Sequence, residues 1–390
     1  MGCPSQSGEL DALLDVLRAL FRGDAQPWPA VEDTIARWNA RSMLYSGLKR
    51  RGIDDRGESQ GGARAAPDVD PDAWARLQRA HATTTAQNLE LVHESGRVLA
   101  ALHGAGLPAV PLKGIALFLR GVHRDFGARP TFDIDVLTRP RDRASVTRVL
   151  QGLGYEQSRG GVLPKHLPGF HRGELLVEVH EWAYWSLRDG APVGVDAMID
   201  RDGGARLDQA VVHLVHHLFE GSVREPWLVV KTLWDLNEVR IHAEGRPQLL
   251  EQITETADGA GLAAHLGALW GALARILDLP DPTPRGVPRS AAAPDVDAVI
   301  AACRPVSPEE LRALVLRYYY KGIVEYPAWM KARALRTAFF PSRAQMEAIY
   351  DLAPESPWVW PAYAVRPAHL LWRAAAAGAQ IARARIRRGS

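Results

Sequence analysis

Residues 129–137 read RPTFDIDVL. Ile134, Val136 and Leu137 give this run the look of a buried strand, yet two carboxylates, Asp133 and Asp135, interrupt it one residue apart. Side chains alternate across a strand, so the two aspartates share one face while Ile134 and Val136 point to the other. The apolar pair can pack against a helix while both carboxylates project to one spot. Two carboxylates that close repel, and one tends to keep its proton. A divalent cation removes the conflict. Mg²⁺ takes oxygen ligands and keeps substrate phosphate oxygens in its shell. Paired metals can hold the attacking and leaving oxygens of a phosphoryl displacement.

The flanking sequence makes this strand one of three. LPAVPLKG (107–114) is short, apolar and proline-bounded, and a short helix over Gly114 to Leu119 follows it. Pro140 then opens a helix carrying Val146, Val149, Leu150 and Leu153 at helical spacing, closed by Gly154. ELLVEVH (174–180) is the third strand. In it Val177 and Val179 face one way, Glu178 and His180 the other. If this strand lies beside the first aspartate strand, Glu178 completes a three-carboxylate cluster, as a metal ligand or as the base for an attacking hydroxyl. The plainer alternative is that all three acids are solvent-facing residues of an amphipathic sheet.

Around this α/β unit the pattern is helical. Ser7 caps a first helix with Leu10, Leu13, Leu14 and Leu17 on one face, ended by Gly23, and a second helix spans Trp28 to Leu48. Residues 51–70, rich in Gly, Asp and Arg, form a loop. Asp70-Pro71 caps a long helix that stops at Gly104 and Gly106, with Leu91, Val98 and Leu102 as core. Helices return over 209–219 and 228–239, a proline-rich linker covers 279–297, and a Trp-rich helical end (Trp358, Trp360, Trp372) gives core or interface. The expected fold class is α+β, mostly helical, a small mixed sheet between N- and C-terminal helical regions. The expected units are 1–95, an α/β core over 96–190, a helical region over 191–280 completing the cleft, and 298–390.

Bulk properties narrow the function. Of 390 residues 47% are apolar and 24% charged, an ordinary globular composition. A net charge of +2 gives little long-range pull on long nucleic acid. Two cysteines, Cys3 and Cys303, make no disulfide framework, so a reducing cytoplasm is expected. No stretch is apolar enough to span a membrane, the start lacks a signal-peptide pattern, and Gln6 breaks the myristoylation motif.

PLKG, RPTFDIDVL and VEVH together resemble the uncharacterised nucleotidyltransferase family of the DNA polymerase beta-like superfamily, over roughly residues 90–240. The resemblance implies a polymerase beta-like core and transfer of a nucleoside monophosphate from an NTP co-substrate. It implies Mg²⁺ (or Mn²⁺) on Asp133, Asp135 and Glu178. It implies Gly114 and the amides after it facing the triphosphate, Lys113 and Arg129 supplying positive charge to it, and His180 in the binding site. The acceptor would be a small molecule, a peptide or a protein. The superfamily's usual Gly-Ser or Gly-Gly turn is here Lys113-Gly114-Ile115, which keeps a non-catalytic nucleotide-binding or partner-binding module open. A glycosyltransferase also uses DxD, but it needs an α/β region upstream of that motif.

The remaining candidates have everyday readings. Lys113 can be a surface lysine at a strand end, and Arg129 a structural partner of the carboxylates. His213, His216 and His217 form a polar helix face towards the cleft rather than a zinc site, for want of a further ligand. Lys231 and Asp235 are spaced as a helix-surface ion pair. Trp182 and Trp185 are buried packing rather than base-stacking rings. Arg383, Arg385, Arg387 and Arg388 make a solvated basic end.

Overall fold

The computed structural model describes residues 6–22, 28–50, 70–158, 166–220, 225–280, 294–306 and 326–375, the last without 342, 351, 354, 373 and 374. The chain enters through α1 (Gln6–Arg22), α2 (Trp28–Arg37), α3 (Arg41–Arg50) and α4 (Pro71–Gly104). The single helix expected over Trp28 to Leu48 is two. Asn39 takes a left-handed backbone with φ 51°, and Trp38 turns inward to donate its indole N–H to the Cys303 carbonyl at 2.8 Å. α4 starts as its sequence dictates: the Asp70 carboxylate accepts from the backbone N–H of Asp72 and Ala73, with Pro71 in the first turn.

The sheet follows. Its parts are β1 (Ala109–Pro111), α5 (Lys113–Leu119), β2 (Ile134–Thr138), α6 (Arg143–Gly152), β3 (Glu156–Gln157), β4 (Phe170–Arg172) and β5 (Leu175–His180). The strand order is β1-β2-β5-β4-β3, with β2 and β5 parallel and the other pairs antiparallel. Ile134, Val136, Val177 and Val179 pack on Leu91, Val98 and Leu102 of α4 and on Val146 and Leu150 of α6. That apolar back face fixes the strand register, since a one-residue slip would bury Asp135 and Glu178 in it. β3 and β4 are absent from the sequence reading because two or three residues show no alternation. Among the described residues before β2, β1 is the one strand, so the upstream sheet that sugar transfer from a DxD motif needs is not there.

After a short hairpin of β6 (Tyr184–Trp185) and β7 (Pro192–Val193) come α7 (Val195–Met198), α8 (Leu207–Phe219), α9 (Pro226–His242), α10 (Pro247–Gly259), α11 (Ala263–Leu277) and α12 (Val296–Ala301). The largest apolar cluster joins the first helices to these later ones: Leu17, Leu20 and Trp38 meet Leu233, Trp234, Leu269 and Cys303. Helices Ala328–Phe339 and Arg343–Ile349 follow. Trp358, Trp360 and Trp372 are each 68% exposed, so of the core or interface role expected for them the core one does not hold. Trp182 and Trp185 are packed, edge-on against Trp329 and against His216 and Tyr326 respectively. The expected loop over 51–70 except Asp70, most of the linker, Gly23 and the arginines at 383–388 lie outside the described residues. No described helix is long and apolar enough to cross a membrane.

One carboxylate ties α3 and α4 to the loop leading into β2. Asp125 accepts from Ser46 at 2.6 Å and from the Gly127 amide at 2.9 Å, and lies 2.8 Å from the His81 ring. Burial alone would raise its carboxyl, but the His81 and Ser46 hydrogen bonds outweigh that and lower it to about 2. A folded-state pKa below the unfolded one gives stability that is present at neutral pH and lost as pH falls through the folded value. Asp125→Asn is therefore expected to flatten the stability loss between about pH 4 and pH 2. Thermal unfolding across that window checks it, and an unchanged slope rejects the assignment.

Candidate active site

The site is built by the β2–β5 pair. The two strands are parallel neighbours with Asp135 opposite Glu178 and Leu137 opposite His180. Matched positions on paired strands point to the same face, so Glu178 joins the aspartates. One oxygen from each of Asp133, Asp135 and Glu178 lies within 4.8 Å of the others. Asp135 is buried, while Asp133 and Glu178 are only half-buried, so the cluster opens to solvent on one side. Three carboxylate oxygen donors at this spacing suit a hard divalent cation such as Mg²⁺ or Mn²⁺.

The electrostatics fit the same group. The Asp135 carboxylate next door, then burial, raises Asp133 to about 6. For Asp135 burial acts the same way, but Lys113 and His180 outweigh it and hold the carboxyl well below its ordinary range. Both bond to Oδ1, Lys113 Nζ at 2.7 Å and His180 Nε2 at 2.7 Å. Burial, then His166, lowers His180 to about 3, so its ring is neutral and Nε2–H donates. Lys113 is not a surface lysine. Burial would lower its ammonium, yet Asp135 and Asp133 raise it above its ordinary value. Its backbone is left-handed, φ 50°, a conformation costing a lysine roughly 1 kcal/mol. Strain of this kind persists where the surroundings over-determine it, and here the Asp135 ion pair is part of those surroundings.

Two sequence expectations are corrected, for Arg129 and for the Lys231–Asp235 pair, and Gly114 gains a structural role. Arg129 does not face the cluster. It is 1% exposed, its Nε and Nη2 donate to Asp235 at 2.6 and 3.0 Å, and its Nη1 donates to Thr131 at 2.8 Å. Those bonds commit it to the interior rather than to phosphate. Gly114 has a structural reason to be glycine, whatever a ligand requires of it: a Cβ there would lie 2.1 Å from Arg129 Nη1. Lys231 and Asp235 are not a surface pair. Asp235 is fully buried and also bonds His123 at 2.9 Å, and Lys231 instead places Nζ 4.2 Å above the Trp227 ring.

One residue near the cluster escaped the sequence reading, and another was read there in a different role. His166 Nδ1 lies 3.5 Å from Glu178, and His166 forms an antiparallel bridge with His180 at the end of β5. Lys231 feels both Asp133 and Asp235, and burial followed by Arg129 lowers its ammonium to about 7. No local signal marks His166. Lys231 was visible only as a helical neighbour of Asp235. On α8, His213 is buried beside His180 with ring centroids 6.3 Å apart, and His216 packs on Trp185. His166, Glu178 and His180 form a second group of metal-ligand spacing beside the three carboxylates, and His213, His216 and His217 belong to neither among the described residues.

Comparison with curated proteins and with solved structures gives no match. The family model described as uncharacterised nucleotidyltransferase matches residues 62–269, which holds α4, the whole sheet, α8 and α9. That is just over half of the chain, and it contains every residue of the carboxylate cluster; the protein belongs to the uncharacterised nucleotidyltransferase family.

Proposed function

We propose that the protein is a divalent-metal-dependent nucleotidyltransferase that moves a nucleoside monophosphate from an NTP to a hydroxyl or phosphate acceptor. The acceptor is a small molecule, a peptide or a protein side chain, and the setting is cytoplasmic. The convergence of Asp133, Asp135 and Glu178, in a chain of this family, carries the reading. These three would hold Mg²⁺ or Mn²⁺, which when bound neutralises charge at the α-phosphate and orients the acceptor oxygen.

The chain's own residues supply the rest. Lys113 stays an ammonium at any working pH and offers fixed positive charge at the turn into α5. His180 positions Asp135 by hydrogen bond. Glu178, half-buried and flanked by His166, is the carboxylate placed to orient the acceptor hydroxyl and take its proton. The acceptor oxygen bonds to the α-phosphorus as the bond from that phosphorus to the bridging oxygen breaks, and pyrophosphate leaves.

The direct test incubates the protein with Mg²⁺, α-labelled NTPs and a panel of acceptors. Label transfer with stoichiometric pyrophosphate, abolished by chelation, is the expected result. One observation favours a competing reading as a nucleotide-binding module: Lys113 and His180 already share Asp135 Oδ1. Tight Mg²⁺–NTP binding with no transfer to any acceptor would decide for that module.

A further inference from the structure

Phe132 immediately precedes Asp133 and is 54% exposed. A single exposed ring is ordinary on a protein surface. Three further features set this one apart. The ring meets Trp227, at the start of α9, with centroids 5.9 Å apart and planes at 60°. The two rings wall a cavity of about 360 Å³ whose other apolar lining is Trp38, Pro226, Pro305 and Val306. Asn39, Arg37 and Glu225 add polar groups of three kinds to it. Finally, Lys231 stands one helical turn on from Trp227, its ammonium 4.2 Å above that ring and within the field of Asp133.

Aromatic slot, lysine amine and the carboxylate cluster that begins at Asp133 therefore follow one another from the cavity inward. A nucleotide has the same order: a planar base, then anionic phosphates, then the metal those phosphates share. The cavity falls in the range of small-molecule sites. It suits a base with its ribose, and it is too small for a folded protein or a length of peptide. Donors and acceptors on Arg37, Asn39 and Glu225 are the groups available to a base edge. Stacking on aromatic faces holds any base, because every base has a π face.

We propose that the cavity between Phe132 and Trp227 is the nucleobase subsite for the donor NTP, with Lys231 carrying the chain of contacts from the base to the phosphates. The inference rests on the nucleotidyl-transfer reading and adds to it the seat of the donor's base.

Equilibrium dialysis with Mg²⁺ tests it on the full chain, using ATP, GTP, CTP and UTP beside inorganic tripolyphosphate, which has the phosphates and no base. At least one NTP is expected to bind on the order of tenfold or more tighter than tripolyphosphate. Phe132→Ala is expected to lose on the order of tenfold towards that NTP and to leave tripolyphosphate unchanged, while Trp227→Ala, which also removes the ring under Lys231, should lose at least as much towards the NTP. Trp227→Phe, which keeps a stacking face, should retain most of the affinity. Equal binding of NTPs and tripolyphosphate by the unmodified protein overturns the subsite. So does an equal loss towards both ligands in Phe132→Ala, or unchanged NTP affinity with a raised KM for an acceptor, which would give the cavity to the acceptor. If NTPs and tripolyphosphate both fail to bind the unmodified protein, the transfer reading itself falls and takes the subsite with it.

Discussion

Asp135→Asn is expected to abolish nucleotidyl transfer, by on the order of a thousandfold or more, and to lower the stability of the folded chain as well. Asp135 holds the Lys113 ammonium and the neutral His180 ring on one oxygen, and asparagine removes the charge while keeping the shape. Lys113 then stays half-buried with its closest anionic partner gone. An unpaired ammonium in that position is costly. Asp133→Asn should give the opposite stability signature. The Asp133 carboxyl is raised chiefly by its neighbour Asp135, so neutralising it removes a repulsion. The metal-free Asp133→Asn protein is expected to be at least as stable as the parent, yet equally inactive. Parallel activity and thermal-unfolding measurements on the two variants check the pair. Transfer surviving in either one rules out the carboxylate site, and equal destabilisation in both would mean the acids serve the fold alone.

Asp235→Ala is expected to lower the unfolding midpoint by on the order of 10 °C. The side chain is fully buried, takes two hydrogen bonds from Arg129 and lies against His123. Burial alone would raise its carboxyl, but Arg129 and His123 outweigh that and lower it to about 2. Truncation leaves a buried guanidinium without its counter-charge, a loss of roughly 3–5 kcal/mol when a buried pair is broken from one side. Replacing both partners is a different experiment. Arg129→Met combined with Asp235→Leu should recover much of the loss, since a packed apolar pair can match a buried ion pair. Differential scanning calorimetry of the two singles and the double gives the coupling. Additive losses would show that Arg129 and Asp235 do not act as a pair.

The same pair explains why the site was only partly legible in sequence. Asp133, Asp135 and Glu178 were readable because each lies on a strand or immediately before one, where alternation is local, and the apolar partners Ile134, Val136, Val177 and Val179 leave the acids one face. Asp70, Pro71 and the apolar stripe of α4 were readable for the same reason. The break at Asn39 was hidden, because it depends on Trp38 reaching the carbonyl of Cys303, a residue 265 positions away. The edge strands were hidden by their brevity. Exposure of Trp358, Trp360 and Trp372 was hidden because composition cannot say which side of a helix finds a partner.

By itself, then, the sequence determined the order of elements, the face each acid takes and the family to which the chain belongs. These follow from periodicity and motif, which are properties of neighbouring residues. Only the tertiary structure decided which cation serves which carboxylate. Lys113 goes to Asp135, 22 positions on, and His180 reaches back 45 positions to the same oxygen, while Arg129 spans 106 positions to Asp235 beneath the turn at Gly114. Ion pairing depends on distance and burial across packed elements, and charge spacing along the chain carries neither.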